Sequence, residues 1–365
     1  MLSNMGILSF GWKPPPNPRL GRGGCHLPYG FCFRLVGRLF VTVGVGGFST
    51  AVFWAKVKYI GIAMLPSVWF VTGGAGFIGS HLVDRLVEDN EVTVVDDFST
   101  GRRESLNPEA DLIEGSLLKL DLEEVVEGKD IVFHMAANPE VRNKDPEAHI
   151  DQNFMTTYRL LEAMRETGVK RMVFASSSTV YGEAEIPTTE EHPTFPISLY
   201  GAAKLASESL ISSYCHTFGF DAWVYRFANV IGPRLRHGVI YDFIKKLRKD
   251  PEELTILGNG EQRKSYIYID DCIDALLKGL ESASEFNVFN IGTEDQVNVT
   301  RIAEIVSGEM GLNPEFKYTG GERGWKGDVP VMLLSSEKLR ELGWSPELGS
   351  EESVRKTTQN LLKEI

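Results

Sequence analysis

Tyr200 and Lys204 stand four residues apart in a segment that reads as helix from about Pro196 to Ser198 onward. That spacing puts both side chains on one helical face. An ammonium beside a phenol favours the phenolate, and a phenol drawn from a pKa of about 10 toward neutrality can act as a general base. Tyr-x-x-x-Lys alone also occurs on solvated helix surfaces. Here it is joined by Ser176-Ser177-Ser178 at the end of an apolar run, Arg171 to Ser176. A hydroxyl at the carboxyl end of a buried strand faces the cleft above a parallel sheet. Any of the three serines can equally be a strand-end cap.

A second constellation is Val68-Trp-Phe-Val-Thr-Gly-Gly-Ala-Gly-Phe-Ile-Gly-Ser-His81, in which a β-rich run meets a glycine cluster and then a helix-like pattern. Gly73 allows a sharp turn, Gly76 close approach of backbone to a pyrophosphate, and Gly79 a helix packed tightly on its strand. The helix N-terminus then offers unpaired N–H groups to phosphate. Asp96 falls 23 residues after Gly73 at the end of a second apolar run. A carboxylate there accepts from both adenosine ribose hydroxyls and repels a 2′-phosphate, so NAD is favoured over NADP, with Arg102 and Arg103 as the features that argue the other way.

The elements that must position these groups are legible as alternation. From Ser67 onward, apolar runs at Val68–Thr72, Glu91–Asp96, Asp111–Gly115, Asp130–Ala136, Arg171–Ser176 and Ala222–Phe227 are separated by amphipathic segments. Such runs, buried on both faces, predict a parallel sheet covered by helices. The expectation is an α/β, doubly wound, Rossmann-type sheet with a smaller mixed α/β C-terminal lobe. The dinucleotide-binding core would span about 67–230 and an interleaved substrate lobe, with short strands at Leu254–Leu257 and Tyr266–Ile269, about 231–365.

The 365-residue chain is 42% hydrophobic and 24% charged, enough to bury a large core, and its net charge of −12 argues against a nucleic-acid surface. The charge is uneven: residues 1–64 hold seven Lys or Arg and no Asp or Glu, leaving 31 basic and 50 acidic groups in the remainder. Residues 1–66 read as a basic extension, disordered or an over-extended start ahead of Met64. The uncharged stretch Leu39–Ala55 is shorter than the about 20 apolar residues of a spanning helix and is interrupted by glycines, so a membrane anchor is disfavoured. Cys25, Cys32, Cys215 and Cys272 form no C-x-x-C, so no metal site is expected and a reducing, cytoplasmic location is.

Together, Thr72–His81, Asp96, His134-Met-Ala-Ala137, Asn153, Ser176-Ser-Ser-Thr-Val-Tyr-Gly182 and Tyr200-Gly-Ala-Ala-Lys204 resemble the extended short-chain dehydrogenase/reductase family, in particular its UDP-glucose 4-epimerase-like branch. The likeness covers nearly everything from Ser67 to the C-terminus. It implies an NAD-dependent isomerase that inverts C4 of a UDP-hexose, UDP-glucose/UDP-galactose or N-acetyl forms, through a 4-keto intermediate. Ser177, Tyr200 and Lys204 would be catalytic. The cofactor would be held by Gly73, Gly76, Phe77, Ile78, Gly79, Asp96, Asp97, Ser99, Gly101, Ala136, Ala137, Asn153, Tyr200, Lys204 and Phe227. The nucleotide sugar would meet Ser177, Asn229, Thr255, Leu257, Lys264, Arg323 and Asp328. A homodimer through helices near Pro146–Glu166 and Tyr200–His216 is a further expectation.

The chain departs from that pattern in places. Relatives that eliminate water or decarboxylate carry an acid where this chain has Thr179, which disfavours a dehydratase or decarboxylase. A non-catalytic NAD-sensing protein is the other rival, disfavoured by Ser177, Tyr200 and Lys204 being present together. Lys264 stands where many relatives have Arg and lacks its planar fork. Ser116 replaces an adenine-contacting Asp. Met332, slender and adaptable, stands at the position that gates the sugar pocket.

Overall fold

The computed structural model describes residues 67–142, 145–325 and 327–365. These belong to a compact unit, Met64–Ile365. The basic extension and the marginal apolar stretch lie outside the described residues.

The chain opens with β1 (Val68–Thr72), the glycine turn and α1 (Phe77–Leu86), then β2 (Glu91–Asp96), β3 (Asp111–Glu114), α2 (Leu122–Val126) and β4 (Ile131–His134). Next come α3 (Pro146–His149), a π-helical stretch Ile150–Met155, α4 (Thr156–Thr167), β5 (Arg171–Ser177), α5 (Leu199–Phe218) and β6 (Asp221–Phe227). With β11 (Phe286–Ile291), reached after four intervening short strands, they form one parallel sheet of order β11-β6-β5-β4-β1-β2-β3. The order reverses between β1 and β4, the place where the carboxyl ends of open α/β sheets leave a crevice. Register brings the chemistry to that edge, for Thr72 pairs with Val95 and His134, and Ser177 with Phe227.

Alternation along the strands fills two layers. Val71, Val94, Phe133, Val173 and Tyr225 pack on one face with Leu82 and Val83 of α1, while Phe70, Val132, Phe174 and Val224 pack on the other with Leu160, Leu161 and Met164 of α4 and Ile211 of α5. At about 1.5–3 kcal/mol per buried large aliphatic or aromatic side chain, these two layers supply the rigidity on which the edge depends.

The short strands β7 (Asn229–Ile231), β8 (Glu253–Ile256), β9 (Arg263–Lys264) and β10 (Tyr266–Tyr268) precede β11; β12 (Val297–Asn298), β13 (Glu315–Tyr318) and β14 (Val331–Met332) follow it. They pair in small sheets: β7 with β10, β8 with β13, and β9 between β12 and β14. Helices α6 (Val239–Lys249), α7 (Ile269–Gly279), α8 (Val299–Glu309), α9 (Glu337–Glu341) and α10 (Ser350–Glu364) complete the chain. The spacing Ile240, Phe243, Ile244, Leu247 gives α6 one apolar face, buried with Ile302, Ile305 and Val306 of α8 and Val354 and Leu361 of α10. The main sheet does not close at residue 230, however. β11 extends it beside β6, and α7 with Leu339 and Trp344 packs into the first core layer. The run Phe286–Ile291 is a buried strand cut off from its sheet partners by an inserted lobe, so local alternation does not reveal it.

Candidate active site

A cavity of about 920 Å³ runs along the carboxyl edge, from the glycine turn and Asp96 past Ser177, Tyr200 and Lys204 to Asn229, Lys264 and Met332. At its first end, the chain is packed so closely that side chains would not fit. A Cβ on Gly73, whose φ is +71°, would lie 2.7 Å from the Ala136 backbone, and one on Gly79 would lie 2.1 Å from the Gly73 carbonyl. No side chain caps α1 at Gly76, so its first-turn N–H groups stay available at the cavity wall formed by Gly76, Phe77, Ile78 and Gly79. Asp96 accepts from Ala75 N at 2.9 Å and Phe98 N at 2.8 Å, which folds the following loop over the turn. Burial raises its pKa, opposed by those two bonds and reinforced by Asp97. Arg102 and Arg103 are each paired to carboxylates, Glu104 and Glu114, and Arg103 also lies over the Phe98 ring. The arginines that argued for NADP thus have partners already. A glycine cradle, uncapped helix start and buried ribose-facing carboxylate fit an NAD dinucleotide.

The catalytic candidates come together as spacing suggested. Ser198 caps α5 by accepting from Gly201 N at 3.1 Å. A Cβ on Gly201 would sit 2.6 Å from the Thr179 carbonyl, so glycine there lets the helix start close to the turn after β5. Tyr200 and Ser177 consequently line the same cavity, close enough for the Ser177 hydroxyl to act on the phenol. Ser177 Oγ accepts from Thr179 N at 3.2 Å and Thr179 Oγ1 at 3.0 Å. Lys204 is buried, donates to the Ala175 carbonyl at 2.7 Å and lies 5.9 Å from the Tyr200 ring centre. Below the cavity, His134 is within hydrogen-bond distance of the hydroxyls of Thr72 (2.8 Å) and Thr157 (3.1 Å). Burial, with Lys204 nearby, pushes it down to about 3, so it is neutral.

The electrostatics correct one expectation. Burial pushes the Tyr200 phenol up to about 12, with the nearby Ser177 hydroxyl as the opposing influence, and Lys204 is brought down to about 7 by burial against the pull of Glu208. The protein's own groups therefore hold Tyr200 protonated. Four-residue spacing reports proximity and is silent on desolvation, which outweighs it here.

Of the residues expected to hold cofactor, Gly73, Gly76 to Gly79, Asp96, Asp97, Ser99, Ala136, Ala137, Tyr200, Lys204 and Phe227 line the cavity. Two do not. Asn153 is buried behind it, accepting from Asn138 N at 2.7 Å and donating to the Asn138 carbonyl at 3.2 Å, so it ties down the loop after β4. Gly101 lies against Ala75 and Asp96, behind the wall. On the other side, Ser177, Asn229, Leu257, Lys264 and Asp328 reach the cavity, as do Ser116 and Met332. Lys264 is paired with Asp328 at 2.6 Å. Thr255 is exposed within β8, and its carbonyl accepts from Lys246 at 2.7 Å. Arg323 is bound to the Asp328 carbonyl and the Glu183 carboxylate and is not at the wall. The structure adds groups that motif reading passed over: Arg234, Arg236 and His237 before α6, and Gln262, 4% exposed with both amide atoms unpartnered. The basic run Arg234-Leu-Arg-His237 was the available signal for the first three.

Sheet order, glycine cradle and the Ser/Tyr/Lys cluster define a dinucleotide-dependent enzyme of the extended short-chain dehydrogenase/reductase class. The chain belongs to the NAD dependent epimerase/dehydratase family, whose model matches residues 69–292. It is 35% identical over 300 residues to the UDP-glucose 4-epimerase of Corynebacterium glutamicum, covering 76% of this chain and 90% of that relative. A crystal structure of a UDP-galactose 4-epimerase is 48% identical, with a TM-score of 0.76, over 82% of this chain and 99% of that one. A UDP-N-acetylglucosamine 4-epimerase from Methanobrevibacter ruminantium M1, in complex with UDP-N-acetylmuramic acid, is 31% identical with a TM-score of 0.76, over 83% and 100% of the two chains.

Proposed function

We propose that this protein is an isomerase that interconverts UDP-glucose and UDP-galactose by inverting C4, with NAD retained between turnovers. The observation that carries the reading is the convergence of Ser177, Tyr200 and the buried Lys204 on one cavity, at the edge where the glycine cradle opens. Bound NAD supplies the acceptor and later the donor of a hydride. Ser177 holds the sugar's 4-oxygen, and Tyr200 takes its proton as the C4 hydride departs. Lys204 would hold the nicotinamide ribose and stabilise the phenolate, whose formation burial of Tyr200 opposes. Tyr200 then returns the proton once the 4-keto sugar has turned its other face.

Lys264, Asn229 and the backbone at Leu257 would anchor the nucleotide diphosphate while the sugar turns, and Arg234 and Arg236, ion-paired with Asp84 and Glu364, could exchange those partners for an acidic ligand. Thr179 bonds Ser177 and brings no acid to C5, which separates the reading from elimination or decarboxylation. Met332 lines the sugar end, so N-acetyl substrates are included in the test. Incubation with UDP-, dTDP- and GDP-hexoses and no added cofactor is expected to yield a C4 stereoisomer from UDP-hexoses. A stable 4-keto or pentose product, or no product, would overturn it.

We also propose a homodimer through α4 and α5, whose flanks expose Ile150, Tyr158 and Phe218; sedimentation giving a monomer at micromolar concentration would refute it. Among the described residues, no helix is long and apolar enough to cross a membrane.

A further inference from the structure

Glu208 follows Lys204 by one helical turn and Tyr200 by two, on the same buried face of α5, and is only 4% exposed. A carboxylate so deeply placed needs partners. Arg226 of β6 supplies a fork, Nε to both oxygens at 3.1 and 3.2 Å and a terminal nitrogen to Oε2 at 2.7 Å. Ser176 of β5, the neighbour of Ser177, donates to the same carboxylate. Arg226 reaches on to the Tyr181 hydroxyl at 2.8 Å and the Glu190 carbonyl at 3.2 Å, and Tyr181 donates to Asn290 of β11 at 2.8 Å. Of these groups, only Ser176 touches the cavity.

We propose that the Glu208–Arg226 pair is a positioning element, setting α5 against the carboxyl ends of β5 and β6 and so fixing Tyr200, Ser177 and Lys204 relative to one another. A buried ion pair is a poor source of net stability, because desolvation cancels most of its attraction and apolar replacement of both partners is often neutral or stabilising. What this pair does supply is geometry: a bidentate fork tolerates little sliding, Glu208 stands one turn from Lys204 and Ser176 next to Ser177, and Arg226 pairs in register with Ser176.

The pair also has an electrostatic consequence. Lys204 faces Glu208 and Tyr200 on its own helix, the Phe174 ring and Ala175 carbonyl on β5, and neutral His134 on β4. Glu208 in turn faces Arg226, with Tyr181 and Glu190 beyond it. Glu208 is the group that favours the charged form of Lys204 against burial, so deleting it makes Lys204 lose its proton at lower pH.

The inference rests on the epimerase reading for its kinetic arm only. The test is the double variant Glu208→Leu/Arg226→Met, with Ser176→Ala as a milder second variant. In the double variant the expected result is a Tm equal to or above wild type, KM for UDP-sugar unchanged, and kcat lower by up to about 100-fold, the scale of a misplacement near 1 Å. The alkaline limb of kcat is expected to move to lower pH, and so is the titration of the Lys204 amine followed by lysine-selective NMR, which needs no turnover. Ser176→Ala, which keeps the charges, is expected to lower kcat several-fold without moving either titration. Wild-type kcat in Ser176→Ala, or an unmoved Lys204 titration in the double variant, overturns the proposal. Wild-type protein inactive on every nucleotide sugar refutes the functional reading instead, with the NMR arm still deciding this one.

Discussion

The two ends of the cavity are built by different means. At the cofactor end, the donors are backbone N–H groups held in a turn where Gly73 and Gly79 cannot accept a Cβ, and the buried carboxylate, Asp96, is fixed by two more N–H bonds. At the substrate end, the wall is made of side-chain cations that the protein has already neutralised: Lys264 with Asp328, Arg234 with Asp84, Arg236 with Glu364. The first end is preorganised and sterically intolerant. The second is electrostatic and adjustable, since phosphate entering it must compete with carboxylates for the same cations. Damage at the first end should therefore be all-or-none, and at the second graded.

The sharpest test lies where the ends meet. Tyr200→Phe removes the proton acceptor and leaves both ends intact, so kcat is expected to fall by about 100- to 10,000-fold, with NAD still bound in stoichiometric amount. Near-normal turnover would show that another base operates. Gly79→Ala forces a Cβ to 2.1 Å from the Gly73 carbonyl, and the contrast predicts loss of bound NAD with destabilisation of about 1–3 kcal/mol. Full cofactor content after purification and an unchanged Tm would break the all-or-none half. Lys264→Met is the graded case: KM for UDP-sugar is expected to rise by about tenfold, equal to about 1.4 kcal/mol, with kcat nearly unchanged. A collapse of kcat instead would mean that Lys264 serves the chemistry rather than anchoring.

The same contrast governs what the amino-acid sequence made legible. The cofactor end is written in contiguous motifs, because a tight turn, a helix start and a strand end are local objects. Asp96, the glycines and six of the seven main strands near their observed bounds were readable that way, as was the Ser177, Tyr200, Lys204 trio. Asn153 shares a motif-bearing segment yet points behind the wall, since the π-helical stretch that carries it turns its amide onto Asn138. Arg323 was drawn away by Glu183, 140 residues distant, and no spacing rule sees such a partner. β11 was lost to an inserted lobe, and the raised Tyr200 pKa to burial, which only the packed fold creates.

The central claim is that C4 loses and regains a hydride within one closed site. It is tested most directly with UDP-galactose deuterated at C4, incubated in ordinary water without added cofactor. The account predicts UDP-glucose that retains the deuterium at C4, with none exchanged into solvent and no crossover in mixtures with unlabelled substrate. Washout of the label would contradict it, because the C4 hydrogen would then be leaving as a proton.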